Sequence, residues 1–201
     1  MKLYYSPGAC SLSPHIVLRE AGYSFDIEKV DLGAKKTESG ADFTAINAKG
    51  YVPALKLDDG QVLTEGPVIV QYLADRKPES KLVPANGTPE RYKLLEWLNY
   101  ITAELHKSLG SLFNPKMPEA WQGETRTAIG KKLDYLSKQL EGRSFLLGDS
   151  FSVADAYLFT VLGWTKYVGI DLAKWPVLTA YAGRVAQRPA VQAALKAEGL
   201  A

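Results

Sequence analysis

Of 201 residues, one is cysteine and two are histidine. One cysteine excludes a disulfide scaffold and matches a reducing, cytoplasmic compartment. One cysteine and two histidines far apart in sequence show no metal-ligand spacing, so no metal is expected. Neither sign of charge dominates: 24 basic and 22 acidic side chains leave a net charge of +2. The charges are interspersed and form no basic stripe, so a nucleic acid is not an expected partner. No apolar run approaches the roughly 18 residues that cross a bilayer, so no membrane partner is expected. The first apolar stretch is cut by Pro7-Gly8, too early for a signal peptide. Internal repeats and low-complexity tracts are absent.

What remains is an ordinary globular composition, 46% hydrophobic and 23% charged. A chain of this length holds one large domain or two small ones, each with its own core. The first 77 residues alternate in character. Lys2–Tyr5 reads as a strand and Leu12–Ala21 as a helix stopped by Gly22. Asp26–Leu32 alternates apolar and polar, the period of a half-buried strand. A polar stretch follows, with a short helix near Ala41–Ile46. Ala54–Leu57 and Gln61–Thr64 flank Asp58-Asp59-Gly60, a hairpin turn. Pro67 opens a helix through about Arg76. The order β-α-β-α-β-β-α predicts a thioredoxin-like α/β domain over residues 1–77.

Residues 78–88 are linker in composition, rich in proline. Beyond them, residues 89–201 show only helical periodicity and predict an all-α domain. In Glu90–Phe113, Leu94, Leu98, Ile101, Leu105, Leu109 and Leu112 form one stripe. A second helix is expected from Gly123 to Leu140. Ser152-Val153-Ala154-Asp155 reads as a capping box before a helix that is apolar nearly all round. Pro176 and Pro189 open two more helices.

Cys10 sits where the first strand turns into the first helix. A lone cysteine is most often a small buried hydrophobe. At a helix entry, however, unpaired N–H groups and the helix dipole stabilise a thiolate. A lone reactive cysteine must take its second thiol from outside the chain. Four features stand beside it. Pro53 begins a strand, and a cis bond before it would leave the backbone of Val52 open to an extended peptide. Glu65 and Gly66 stand at a helix start, a place for an ammonium and a carboxylate. Lys35 and Lys36 lie in a polar loop. Asn99, Ala103 and His106 share one helix face, a wall for a cleft between the domains. Together these residues fit a small thiol peptide with an α-amino acid end and a terminal carboxylate.

The chain resembles a bacterial beta-class glutathione S-transferase over its whole length. The resemblance rests on Met1–Ser11, Val52-Pro53, Glu65-Gly66, the Trp97–Lys107 run and Ser152–Leu162, in that order and spacing. It implies a transferase that joins the thiol of glutathione to hydrophobic electrophiles, with glutathione as co-substrate and no other cofactor. It implies that Cys10 lies beside the glutathione sulfur and Lys35 meets the glycyl carboxylate. Val52, beside a cis Pro53, pairs with the cysteinyl backbone, and Glu65 and Gly66 hold the γ-glutamyl end. Asn99, Ala103, Glu104, Leu105 and His106 border the site, with His106 orienting or activating the thiol. Tyr5 stands near the catalytic tyrosine of other classes, without that role in this one. A homodimer is implied as well. Phe113, Trp164 and Tyr167 are expected near the electrophile, although the spacing of Trp164 fits core packing as well. Two other readings remain open: Cys10-dependent thiol–disulfide exchange or reductive dehalogenation, and a non-catalytic carrier of hydrophobic ligands.

Overall fold

The computed structural model describes all 201 residues, which divide into two compact units. The first joins Met1–Val83 to Gln187–Ala201, and the second is Pro84–Ala186.

In the first unit, a five-stranded sheet has the order β3-β2-β1-β4-β5. Its strands are β1 (Lys2–Tyr5), β2 (Asp26–Asp31), β3 (Lys36–Thr37), β4 (Ala54–Lys56) and β5 (Val62–Thr64). β1 is central, which explains why three of its four residues are buried. It runs parallel to β2, with Leu3 opposite Ile27, and antiparallel to β4, with Leu3 opposite Leu55. A parallel pair needs a crossover, and α1 (Leu12–Glu20) supplies it. A short helix, α2 (Phe43–Ile46), is capped by the Asp42 side chain, which accepts from the Thr44 amide. α3 (Gly66–Asp75) packs beside α1. Leu3, Ile16, Leu55, Ile69 and Leu73 are fully buried, each stabilising the unit by about 1.5–3 kcal/mol.

The observed order is β-α-β-β-α-β-β-α, one strand more than the sequence predicts. The added strand β3 has two residues and pairs antiparallel with β2 at the sheet edge. Two residues carry no periodicity to read. The domain boundary also differs from expectation. The last helix, α9 (Pro189–Ala197), packs on α1 in the first unit rather than with the helices before it. A bidentate pair ties the two, with Arg188 Nε and Nη2 donating to the Glu20 carboxylate at 2.6 and 2.8 Å.

The second unit is helical. α4 (Pro89–Tyr100) starts at Thr88, whose side chain accepts from the Arg91 amide. The helix then changes pitch: Ile101–His106 is π-helical, and the Lys107 amide donates to the Thr102 carbonyl five residues back. α5 (Lys107–Ser111) restores the α pitch. Leu94, Leu98, Ile101, Leu105 and Leu109 are buried through this change, as the stripe requires. α6 (Glu119–Leu140) begins four residues before its predicted start, directly after Pro118. α7 (Val153–Leu162) is buried nearly all round. Its capping box is formed: the Ser152 side chain bonds the N3 backbone, and Asp155 accepts from the Ser152 amide at 2.9 Å. Asp155 also accepts from the Leu146 amide and the Tyr181 hydroxyl, both at 2.9 Å. α8 (Pro176–Ala186) completes the unit. No helix is long and apolar enough to cross a membrane.

Candidate active site

Between β1 and α1, Ser6-Pro7-Gly8-Ala9 closes a turn, with the Ala9 amide donating to the Ser6 carbonyl at 3.0 Å. Proline second and glycine third, with φ +70° at Gly8, is the pattern of a type II turn. Cys10 follows, half-buried, and Ser11 precedes α1 with its hydroxyl bonded back to the Ser6 amide and carbonyl rather than to the helix. The Leu12 and Ser13 amides are already turned back onto the Ala9 and Cys10 carbonyls, at 3.0 and 3.2 Å. Two of the N–H groups expected to be open at this helix entry are therefore occupied. The Cys10 thiol itself donates to the Val52 carbonyl at 3.2 Å.

Around that contact the first-unit candidates are joined one to the next. The Val52–Pro53 peptide is cis. A Cβ placed on Gly66 would lie 3.8 Å from Pro53 Cγ, so Gly66 stands directly against the proline. Glu65, just before it, holds φ +68°, a left-handed conformation uncommon for a side chain of its size. Lys35 is also left-handed, at φ +56°, and its Nζ donates to the Gly50 carbonyl at 2.8 Å. Gly50 takes φ +68° beneath that side chain, with a hypothetical Cβ 3.6 Å from Lys35 Cδ and Cε. Two non-glycine residues in sparsely populated backbone conformations mark this region, since such conformations cluster at functional sites.

Two first-unit residues escaped the sequence reading. Lys49 pairs with Glu65 and donates to Thr64 Oγ1 at 3.0 Å. The Glu65 carboxylate raises the Lys49 ammonium above its ordinary value through a side-chain hydrogen bond. Nothing in the local pattern singled this lysine out. Glu198, beyond α9, has a fully buried side chain. It accepts from the Gly8 amide at 2.9 Å and bonds His15 Nδ1 at 2.8 Å. Arg19 Nε donates to His15 Nε2 at 3.0 Å, so Nδ1 carries the imidazole proton and donates to Glu198. A carboxylate 190 residues along the chain thus fixes the turn ahead of Cys10, and no local signal could announce it. Tyr5 is 7% exposed, and burial first, then the charges of Glu38 and Glu198, raises its phenol, which stays protonated.

In the second unit, His106 closes the π-helical segment. Its Nδ1 lies 2.6 Å from the Tyr157 hydroxyl, and its ring meets Trp164 edge-on with centroids 4.8 Å apart. Trp164 in turn meets Phe113 edge-on at 6.1 Å. Trp164 is buried, as core packing would have it, while Phe113 and Tyr167 are exposed. Asn99 and Ala103 are exposed. Glu104 is paired to Lys132 at 2.9 Å. Leu105 is fully buried in the unit's core. It belongs to the leucine stripe, and that membership decides its direction.

Two family models match the chain: the glutathione S-transferase N-terminal domain over residues 8–76 and the C-terminal domain over residues 119–184. The glutathione S-transferase GstA of Escherichia coli O157:H7 is 50% identical over 200 residues, covering 100% of both chains. A sphingomonad glutathione S-transferase solved in complex with glutathione is 53% identical with a TM-score of 0.96, again over 100% of both chains. The bacterial beta-class enzyme of Sphingomonas chungbukensis is 51% identical with a TM-score of 0.96 and the same coverage. With a Cys10 turn, a Val52–Pro53 strand entry and a Glu65–Gly66 helix start arranged as above, the chain belongs to the glutathione S-transferase family of transferases, in its bacterial beta class.

Proposed function

We propose that the protein conjugates the thiol of glutathione to small hydrophobic electrophiles. The observation that carries this reading is the contact of Cys10 with Val52, beside a helix start bearing Glu65 and Gly66. An extended thiol peptide paired with the Val52 backbone would bring its own sulfur to Cys10. Its glycyl carboxylate would meet Lys35 and its γ-glutamyl end Glu65 and Gly66. For the helical unit, we assign His106 to activation of the glutathione thiol, with Asn99, Ala103 and Glu104 supporting the bound peptide. The ring of His106 is held by Tyr157 and Trp164. Phe113 and Tyr167 offer exposed aromatic surface to the electrophile. No other cofactor is required. The reading includes a cytoplasmic homodimer.

A free thiol has a pKa of about 8.5, so only a few per cent is ionised near neutrality. Each pKa unit removed by nearby donors is worth about 1.4 kcal/mol of thiolate stabilisation. The solitary Cys10 favours a second activity. Its thiolate can attack glutathione disulfide, forming a Cys10–glutathione mixed disulfide and releasing one glutathione. The thiolate of a substrate thiol RSH then attacks the glutathionyl sulfur, forming RS–SG and restoring the Cys10 thiolate, so the net reaction is RSH + GSSG → RS–SG + GSH.

The test is glutathione-dependent turnover of a reactive chloronitrobenzene by the wild type and Cys10→Ala, with mass spectrometry of each after glutathione disulfide. Acceleration over the uncatalysed rate, with the adduct confined to the wild type, is expected. No acceleration by the wild type overturns conjugation, and an adduct on Cys10→Ala overturns the assignment of Cys10.

A further inference from the structure

The γ-glutamyl end of glutathione is a zwitterion, with an ammonium and a carboxylate on one carbon. Glu65 answers the ammonium. The helix start behind it is poorly equipped for the carboxylate. Pro67 has no N–H, and the Val68 and Ile69 amides already donate to the Glu65 carbonyl at 3.0 and 2.9 Å. That leaves the Gly66 amide from the first turn's leading residues, without a full positive charge. Lys49 is the cation at hand. Its ammonium is seated on Thr64 Oγ1 and the Glu65 carboxylate.

The loop that carries Lys49 is braced. Asn47 Nδ2 donates to the Tyr51 carbonyl at 2.7 Å, the Lys49 amide to Asn47 Oδ1 at 3.2 Å and the Gly50 amide to the Asn47 carbonyl at 2.8 Å. The same loop receives the Lys35 ammonium at Gly50. One short segment therefore presents two ammonium groups and leads directly into Val52, with the Glu65 carboxylate beside one of them. Glutathione carries the complementary set: two carboxylates, one ammonium and an extended middle.

We propose that Lys49 is a glutathione-binding residue that takes the α-carboxylate of the γ-glutamyl end, while Glu65 takes the adjacent ammonium. Without ligand, the two side chains neutralise each other. The bound zwitterion inserts its own opposite charges between them. This assignment rests on the placement of the γ-glutamyl end at Glu65 and Gly66.

The experiment is calorimetric binding to the full chain of three peptides: glutathione, γ-aminobutyryl-cysteinyl-glycine, which lacks the α-carboxylate, and glutaryl-cysteinyl-glycine, which lacks the ammonium. Lys49→Met is expected to weaken glutathione about three- to tenfold, the range for a partly exposed charge-assisted contact. It should weaken the glutaryl peptide similarly and leave the aminobutyryl peptide within about twofold of wild type. Lys49→Arg should retain glutathione affinity. An equal loss for all three peptides would show a displaced loop and overturn the proposal, as would unchanged or tighter glutathione binding by Lys49→Met. Glu65→Gln separates the two levels. If it weakens glutathione while Lys49→Met does not, only the Lys49 assignment falls. If neither does, the placement of the γ-glutamyl end falls with it.

Discussion

Replacing Glu198 by alanine strips two partners from one buried point. The Gly8 amide and His15 Nδ1 both lose their acceptor, formerly at 2.9 and 2.8 Å. His15 is fully buried, so water does not reach it to compensate. Each orphaned donor costs about 1–3 kcal/mol, and the vacated side chain adds a cavity. The expected destabilisation is about 3–5 kcal/mol. For a chain of this size each kcal/mol shifts Tm by about 2–4 °C, so a fall of about 10 °C is expected by scanning calorimetry. Glu198→Gln keeps the shape and one acceptor but turns an NH2 group toward one of the donors, so about 1–2 kcal/mol is expected. Gly8 lies two residues before Cys10, so iodoacetamide should alkylate Cys10 at an altered rate in the alanine variant. An alanine variant that melts within about 2 °C of wild type would refute the reasoning. So would a glutamine variant as damaged as the alanine one.

In the second unit, Asp155→Ala removes the acceptor of the Leu146 and Ser152 amides and of the Ser152 and Tyr181 hydroxyls, all buried. A loss of about 3–5 kcal/mol in urea unfolding is expected, and a loss under about 1 kcal/mol would contradict the network. Glu28 supplies a pH test. Burial pushes its carboxyl up, but hydrogen bonds from Lys2, Ser39 and Thr37 outweigh burial and hold it at about 2, below the ordinary 4.5. The unfolded chain therefore binds the proton more readily. The resulting stability is complete above about pH 4.5 and is lost as pH falls toward 2. With Lys2 more than a third exposed, the effect is about 1–2 kcal/mol. Glu28→Gln should show correspondingly less stability than wild type at pH 6, with the gap closing by pH 2.5; a constant gap would contradict the assignment.

Alternation and turn chemistry made the sheet readable, because Asp26–Asp31 exposes and buries successive residues and Asp58-Asp59-Gly60 can only turn. The leucine stripe was readable for the same reason. The pitch change at Ile101–His106 was not, since a π turn uses the residue types of an α-helix and only its hydrogen bonds differ. Among site residues, those at strand and helix ends were legible from their neighbours: Cys10 after Pro7-Gly8, Val52 before Pro53, Glu65 before Gly66-Pro67. Lys49 and Glu198 were silent. Lys49 looks like any loop lysine until Thr64 folds against it. The place of α9 is set by Glu20–Arg188 and by Glu198, partners roughly 170–190 residues distant.

Because the first unit is completed by Gln187–Ala201, it is discontinuous in the chain. A ribosome delivers residues in order, N-terminus first. The Cys10 turn therefore waits, with its glycine amide and His15 lacking their carboxylate, until the whole helical unit has been made. Synthesis of Glu198 is what locks the turn before Cys10 in place.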